Sequence, residues 1–382
     1  MKNEEVTYEN MSKECIEDKI EAFKRIRIIH PKMKKVMDKL KLLIEQPSGN
    51  EIIMVLGPSG VGKSTLIQSL KKDIIEKVME ELERDKSRLP LVLVELVSPD
   101  NGLFNWKDFY IRILNAMEEP LIHKKVLYKN KDGVESEKKN YANHNPRTAP
   151  ELRRSVENAF YYRKPKVFIV DEAQHFTKMA SGKRYIDQLD TLKSLSNLTK
   201  IPQVLVGTYG LEDFVNLNGQ LARRTTDIQF SRYDLSIEED FNNYLGIIKG
   251  LLGSVPIPVS DGLINHYEYI YERSIGCVGV LKDWLMRSLK LALEENASYL
   301  TLSHMKRTAL SINKISKLLD EILIGEELFL EKDDTLISVR SKLGLNNQEF
   351  SIKSKERIKG VGNRNPKRDK VGVNLIGGKI SD

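Results

Sequence analysis

The sequence is poor in cysteine, has no long apolar run and has no excess of acidic residues. Its two cysteines, Cys15 and Cys277, lie far apart, and its six histidines form no spaced cluster. Neither a disulfide framework nor a zinc site is therefore expected, and a reducing cytoplasm is the natural setting. No apolar stretch approaches the roughly 18 to 20 residues that a membrane span needs, and the first residues lack a signal-peptide pattern. We expect a chain that neither spans a membrane nor is secreted.

The composition is otherwise that of an ordinary folded protein with a basic tilt. The 382 residues are 40% hydrophobic and 30% charged, and 61 Lys and Arg against 54 Asp and Glu give a formal net charge of +7. This length allows two or three domains with a real core, and the sign of the charge suits an anionic partner. Residues 353–370 carry eight basic and two acidic residues. We expect this basic segment to be mostly disordered when free.

Short apolar runs alternate with helical stretches up to about residue 235. Strands are predicted at 52–56, 91–96, 167–170, 203–206 and 226–230, and helices at 33–44, 64–83, 106–118, 149–162 and 184–198. This alternation predicts an α/β fold with a doubly wound, five-stranded parallel sheet. Further helices are predicted at 237–252, 262–273, 278–295 and 303–323, which indicates a smaller all-helical C-terminal domain.

The predicted organisation has four parts. An N-terminal segment and helix span 1–50, a nucleotide-binding core spans 51–235, a helical domain spans 236–325, and a basic, flexible tail spans 326–382. Within the core, residues 120–148 are polar and without clear periodicity, so they are predicted to form a surface insertion.

A glycine-rich motif follows the first predicted strand and precedes a helix. The run GPSGVGKS fits the phosphate-binding pattern GxxxxGK[ST] in full and lies in the context that this pattern requires. Glycines let backbone N–H groups turn toward phosphates, and the helix N-terminus favours negative charge. Lys63 is predicted to reach the β- and γ-phosphate oxygens of ATP, and Ser64 to ligate Mg²⁺. The predicted nucleotide-binding residues are Gly57, Pro58, Ser59, Gly60, Val61, Gly62, Lys63, Ser64 and Thr65.

Hydrolysis also needs carboxylates at the end of a neighbouring strand, and the run VFIVDE supplies two of them. Asp171 is predicted to be the acid on the metal side, and Glu172 the general base that polarises the attacking water. The alternative is that the two acids merely begin a helix. Thr208, after the next predicted strand, is a hydroxyl that senses the γ-phosphate or orients water, or else an ordinary helix cap.

Two adjacent arginines, Arg223 and Arg224, come just before the last predicted strand. In a ring or filament ATPase, an arginine at this place projects toward the γ-phosphate of the neighbouring subunit and stabilises the transition state in trans. Taken alone the signal is weak, because surface arginines are common.

Four blocks together resemble the TniB/TnsC-type AAA+ ATPases of transposons, relatives of MuB and, more distantly, of the helicase loaders. The blocks are GPSGVGKST, VFIVDEAQHF, VLVGTYGLEDFVNLNGQLARRTTDIQFSRY and SIGCVGVLKDWL, and RIRIIHPK and GNRNPKRDKVG are similar to the family's flanks. The resemblance covers most of residues 25–295. It implies that the helical domain is a lid, that Thr208 is a sensor, that Arg223 or Arg224 is the arginine finger, and that Lys282 is a second nucleotide-facing sensor.

The resemblance implies an ATP-switched regulator of transposition that binds duplex DNA and assembles as a ring or helical filament with six or seven subunits per turn. The implied partners are a transposase and a target-selection protein, either a DNA-binding subunit or a CRISPR effector. Slow Mg²⁺-dependent hydrolysis would drive disassembly, in the bacterial cytoplasm at the nucleoid. Candidate contacts to the DNA backbone are Lys124, Lys125, Arg147, Thr148, Lys183 and Arg184, each of which is otherwise a solvated surface residue. The basic tail would dock a partner or bind DNA.

Two other functions remain open at this point. One is a helicase-loader or origin-type AAA+ protein, which also acts on DNA but hands over a helicase. The other is a signalling P-loop ATPase whose bound nucleotide is a structural switch and for which DNA is irrelevant. Steep salt dependence of duplex binding would separate the second from the DNA-binding functions.

Overall fold

Five apolar runs of the sequence form one parallel sheet in a computed structural model of the chain. The structure describes residues 16–46, 52–98, 104–120, 122, 148–178, 191–192, 194–196, 199–212, 225–330 and 333–345. Contacts divide the chain at Leu330 into two compact units, and the sheet belongs to the first. None of the helices within these ranges is long and apolar enough to cross a membrane.

The strands are β1 (Ile52–Leu56), β2 (Val92–Glu95), β3 (Phe168–Asp171), β4 (Gln203–Gly207) and β5 (Thr225–Gln229), in the spatial order β2-β3-β4-β1-β5. Every strand pairing is parallel, which confirms the predicted five-stranded parallel sheet. Because all carboxyl ends lie at one edge, the loops that follow β1, β3 and β4 converge there.

Helices cover both faces of this sheet. They are α2 (Pro31–Glu45), α3 (Lys63–Arg84), α4 (Trp106–Ala116) and α5 (Ala149–Arg163), and they follow the N-terminal helix α1 (residues 16–25). The side chains of Ile53 and Val55 pack with α2 and α3, whereas Ile52 and Met54 pack in the core that contains α4 and α5. This alternation of side chains along β1 explains why the strand is apolar throughout.

The remaining helices of the first unit form the lid: α6 (Glu238–Gly253), α7 (Tyr267–Ser274), α8 (Val278–Glu294), α9 (Leu302–Thr308) and α10 (Ile312–Glu327). The core of α6 to α9 surrounds Trp284, whose indole N–H donates to the carbonyl oxygen of Met305 at 2.9 Å. Helix α10 instead packs in a cluster with Ile275 and Cys277. In the second unit, α11 (Asp333–Lys342) has no buried residue.

The prediction of one helix over 303–323 was wrong, because the chain breaks between α9 and α10. Ala309 has extended backbone angles. The carbonyl groups freed by the break accept hydrogen bonds from side chains of other lid helices. Arg287 donates to the carbonyl oxygen of Thr308, and Arg273 donates to that of Leu310. These tertiary hydrogen bonds stabilise the break.

The N-terminal helix α1 was not predicted, although its apolar residues have helical spacing. Ile16, Ile20 and Phe23 pack in the lid core, and the side chain of Phe23 is fully buried. The N-terminal segment therefore joins the lid before the chain enters the sheet.

Candidate nucleotide-binding site

The glycine-rich motif forms a tight loop between β1 and α3. Gly60 and Gly62 have φ angles of +78° and +119°, which residues with a side chain rarely adopt. Lys63 begins α3 and is only 9% exposed. Its ammonium donates to the carbonyl oxygens of Gly57 and Pro58, both at 2.9 Å. The lysine therefore lies inside the loop, bound to the loop's own backbone.

Two carboxylates at the end of β3 lie at the same edge of the sheet. Burial lowers the pKa of Lys63, and the negative charges of Glu172 and Asp171 partly oppose this shift. Burial also raises the pKa of Asp171, whose Oδ1 accepts the N–H of Glu172 at 2.9 Å. The predicted lysine and both predicted acids are therefore near enough for their charges to interact.

The donor atoms available here suit magnesium. Ser64 is exposed in the first turn of α3, next to Thr65, and Asp171 offers carboxylate oxygens. Hydroxyl and carboxylate oxygens are the ligands that Mg²⁺ takes, together with water and phosphate oxygens. Within the described ranges no cluster of three or more His, Cys, Asp and Glu residues has metal-site geometry. Ser64 and Asp171 therefore offer oxygen ligands of the kind that a magnesium ion takes.

A third side chain, Gln174, connects Glu172 with the end of β4, and the sequence analysis gave it no role. Its Nε2 donates to Glu172 Oε2, and its Oε1 accepts the N–H of Thr208 at 3.2 Å. Thr208 stands at the N-cap position of the short turn Tyr209–Leu211, without a side-chain capping hydrogen bond, and lines the same cavity as Pro58 and Ser59. The predicted base and the predicted sensor are thus linked by one amide.

The lid contacts the loop directly through the first turn of α8. The N–H of Gly279 donates to the carbonyl oxygen of Gly60 at 2.7 Å, and a methyl group on Gly60 would lie 2.6 Å from Val280 Cγ2. Lys282, on the same helix, donates to the carbonyl oxygens of Lys24 at 2.9 Å and Ile26 at 2.6 Å. In this structure Lys282 ties the N-terminal segment to α8, and its sensor role stays a prediction.

His30 lies behind the loop and was also missed. Its Nδ1 lies 2.9 Å from the Tyr233 hydroxyl and accepts the N–H of Met33, which caps α2. Its Nε2 faces the loop near Gly62 and forms no regular hydrogen bond within the described residues. Burial lowers the pKa of His30 to about 4, so the ring is neutral at pH 7. The one available signal was its place in the RIRIIHPK flank.

The last lid helix, α10, lines a cavity beside the loop. Gly325 packs directly on the ring of Tyr209, and Arg232 forms an ion pair with Glu326 at 3.3 Å. A cavity of about 380 Å³ remains beneath it, lined by loop residues Pro58 and Ser59 and by residues of the lid.

Most residues predicted to act in trans or on DNA lie outside the described residues. These are Arg223, Arg224, Lys124, Lys125, Arg147, Lys183 and Arg184. Thr148 is described: it is exposed and forms a capping box with Glu151 at the start of α5. This contact accounts for Thr148 as a helix cap, and its DNA-binding role stays a prediction.

Comparisons with known proteins found one family match and several similar solved structures. Residues 45–215 match the family model described as AAA domain. A comparison with curated proteins found no match.

Similar solved structures include the ORC2 protein of Aeropyrum pernix (14% identity, 76% of this chain and 72% of that chain, TM-score 0.48). The ORC1 protein of the same organism in complex with DNA shows 10% identity over 74% and 65% of the chains (TM-score 0.49). A Walker-type ATPase of Pyrococcus abyssi shows 16% identity over 81% and 75% (TM-score 0.44). The matched residues 45–215 contain the loop, both acids and Thr208.

Proposed function

We propose that this chain is an ATP-dependent, DNA-binding AAA+ regulator of transposition. The observation that carries the ATPase part is the position of Lys63, buried inside the glycine-rich loop and facing the charges of Asp171 and Glu172. A buried ammonium whose partners are two neutral carbonyls is a strong site for an anion, because phosphate oxygens replace those carbonyls with full charges. Binding of ATP phosphates would draw Lys63 out of its contacts with the loop backbone.

The residues divide the chemistry among them. Ser64 and Asp171 would hold Mg²⁺, which supplies charge neutralisation between the β- and γ-phosphates when bound. Glu172 takes the proton of the attacking water as the new bond to the γ-phosphorus forms and the bond to ADP breaks. Thr208 hydrogen-bonds the γ-phosphate or the water. Arg223 or Arg224 of a neighbouring copy would complete the site in trans, so turnover would depend on assembly.

The DNA and transposition parts are supported by the sequence. The sequence blocks around DEAQH and LARR, which few ATPase families share, resemble those of transposition ATPases. The net charge of +7 favours an anionic partner. In this proposal the chain forms rings or filaments on duplex DNA in the bacterial cytoplasm, at the nucleoid. It links a target-selection protein, a DNA-binding subunit or a CRISPR effector, to the transposase, and ATP hydrolysis drives disassembly. The basic tail is the segment that docks the partner.

The test is electron microscopy of the full chain with duplex DNA under ATP, a slowly hydrolysed ATP analogue, or ADP. We expect rings or filaments only when both duplex and a triphosphate are present, and none with Lys63→Ala. Lys71→Ala, an exposed lysine of the same helix, is the matched control. Particles that stay monomeric, or that assemble equally without DNA, would favour a signalling switch.

The partner protein distinguishes a transposition regulator from a helicase-loader or origin-type protein. A transposase encoded beside this gene should bind the DNA-assembled form, and should stimulate its ATP turnover. Stimulation by a replicative helicase, with none by the transposase, would replace the transposition function by loading.

A further inference from the structure

The Gln174 side chain uses both ends of its amide in the resting site. The NH₂ group donates to the Glu172 carboxylate, and the carbonyl oxygen accepts the backbone N–H of Thr208 at 3.2 Å. A carboxylate only accepts and a backbone N–H only donates, so the amide has one orientation that satisfies both partners. The position of the Glu172 carboxylate is thereby fixed relative to the end of β4.

The surrounding backbone is built to accommodate this bridge. A methyl group on Gly207 would lie 2.7 Å from Gln174 Oε1 and 3.2 Å from the Gln174 backbone nitrogen. Gly207 has no positive φ, so the closeness of Gln174, and not backbone conformation, is what requires a glycine here. The turn that carries Gln174 is anchored by Ala173 and Phe176, both fully buried.

Glu172 needs such a restraint because its backbone alone does not fix its carboxylate. Its φ angle is +53°, an unusual value for a residue with a side chain, and its side chain is half-buried. A general base has to lie within hydrogen-bond reach of the attacking water. We propose that Gln174 is a positioning residue that holds the Glu172 carboxylate for proton transfer and ties it to the 208–211 turn. This inference rests on the proposed ATPase function.

The bridge also connects the base to the lid. Tyr209, the residue after Thr208, packs beneath Gly325 of α10 and contacts the ring of Phe329 at a centroid distance of 5.9 Å. Displacement of α10 would therefore move the turn whose N–H holds Gln174. ATP turnover would follow the position of α10, while nucleotide affinity, which depends on the loop, would not.

Three substitutions test the positioning role. Gln174→Ala removes both hydrogen bonds. Gln174→Glu keeps an acceptor for Thr208 but places a like charge against Glu172. Gly207→Ala pushes Gln174 aside without changing it. We expect each to lower kcat for ATP by about 10- to 100-fold, the scale of misplacing a reacting group by about 1 Å. The Kd for ATP should stay within twofold, and Gln68→Ala, an exposed glutamine on α3, should match the unaltered protein.

A double variant distinguishes positioning from general damage. If Gln174 acts through Glu172, then Gln174→Ala added to Glu172→Gln should lower kcat no further. A kcat within twofold of the unaltered protein for Gln174→Ala, or a full further loss in the Glu172→Gln background, would overturn the inference. Failure of the unaltered protein to bind or hydrolyse ATP would instead refute the proposed function itself, so the two failures are distinguishable.

Discussion

The contact between Gly279 and the phosphate-binding loop yields a prediction that runs against helix propensity. Replacing a helical glycine by alanine normally stabilises a helix by up to about 1 kcal/mol. At Gly279, however, the new methyl group would lie 2.5 Å from the carbonyl oxygen of Gly60. The helix would have to retreat by about 0.9 Å to reach ordinary van der Waals contact, which begins at 3.4 Å. The 2.7 Å hydrogen bond from Gly279 to Gly60 would then be lost.

The free energies decide the sign. Loss of the hydrogen bond costs about 0.5–1.5 kcal/mol, and the strain of an overpacked contact costs about 1–3 kcal/mol. These terms outweigh the propensity gain of about 1 kcal/mol, so we expect Gly279→Ala to destabilise the protein by about 0.5–3.5 kcal/mol. Because the lid would also leave the loop, the affinity for a fluorescent ADP analogue should fall about tenfold, which corresponds to about 1.4 kcal/mol.

The matched control is Gly246→Ala, in the exposed middle of α6, where a methyl group would meet nothing within 4 Å. That variant should raise the thermal midpoint by a few degrees and leave ADP binding unchanged. The two variants should be compared by thermal unfolding and by fluorescence titration with the analogue. If Gly279→Ala stabilises the protein as much as Gly246→Ala and binds ADP normally, the proposed contact between lid and loop has no energetic weight.

Three further predictions concern single side chains. Lys63→Ala should abolish nucleotide-dependent assembly on DNA, because it removes the ammonium that would leave two backbone carbonyls to bind the phosphates of ATP. Unchanged filaments would refute the proposed site. Glu172→Gln should keep ATP binding, lower kcat by about 100-fold or more and prolong the DNA-bound state, and normal turnover would exclude Glu172 as the base. His30→Asn keeps a cap for α2 but removes a buried imidazole whose pKa falls from 6.5 to about 4 on folding. Since the unfolded chain then binds the extra proton, this histidine should lower the free energy of unfolding by about 2 kcal/mol between pH 7 and pH 5, a loss that His30→Asn should lack in chemical denaturation.

The sheet was predictable because each of its strands is a local signal. The runs around Ile52–Leu56 and Gln203–Gly207 are apolar on both faces, as a strand covered by helices requires. The positions of Lys63 and Asp171 followed from motifs that combine a strand end with a loop. These features depend on residues that are adjacent in the sequence, so periodicity and spacing were enough to find them.

The missed features depend on contacts between distant segments. Gln174 looked like part of a family signature, and its hydrogen bond to Thr208 appears only when β3 and β4 lie side by side. The ammonium of Lys282 satisfies carbonyls of the N-terminal segment, more than 250 residues earlier in the chain. No pattern in the sequence specifies which backbone carbonyl a long side chain will reach. Side chain to backbone hydrogen bonds of this kind are therefore the part of the site that needs the folded structure.

Two of the described contacts between the lid and the candidate nucleotide site have different consequences. The first turn of α8 bonds to Gly60, which belongs to the loop that would bind the phosphates. The end of α10 packs on Tyr209, which belongs to the turn that holds Gln174 and, through it, Glu172. A change at the first contact should therefore alter nucleotide affinity, and a change at the second should alter turnover. A partner that moves both helices would change how long ATP stays bound and, together with it, how fast ATP is hydrolysed, which is what an ATP-timed assembly requires.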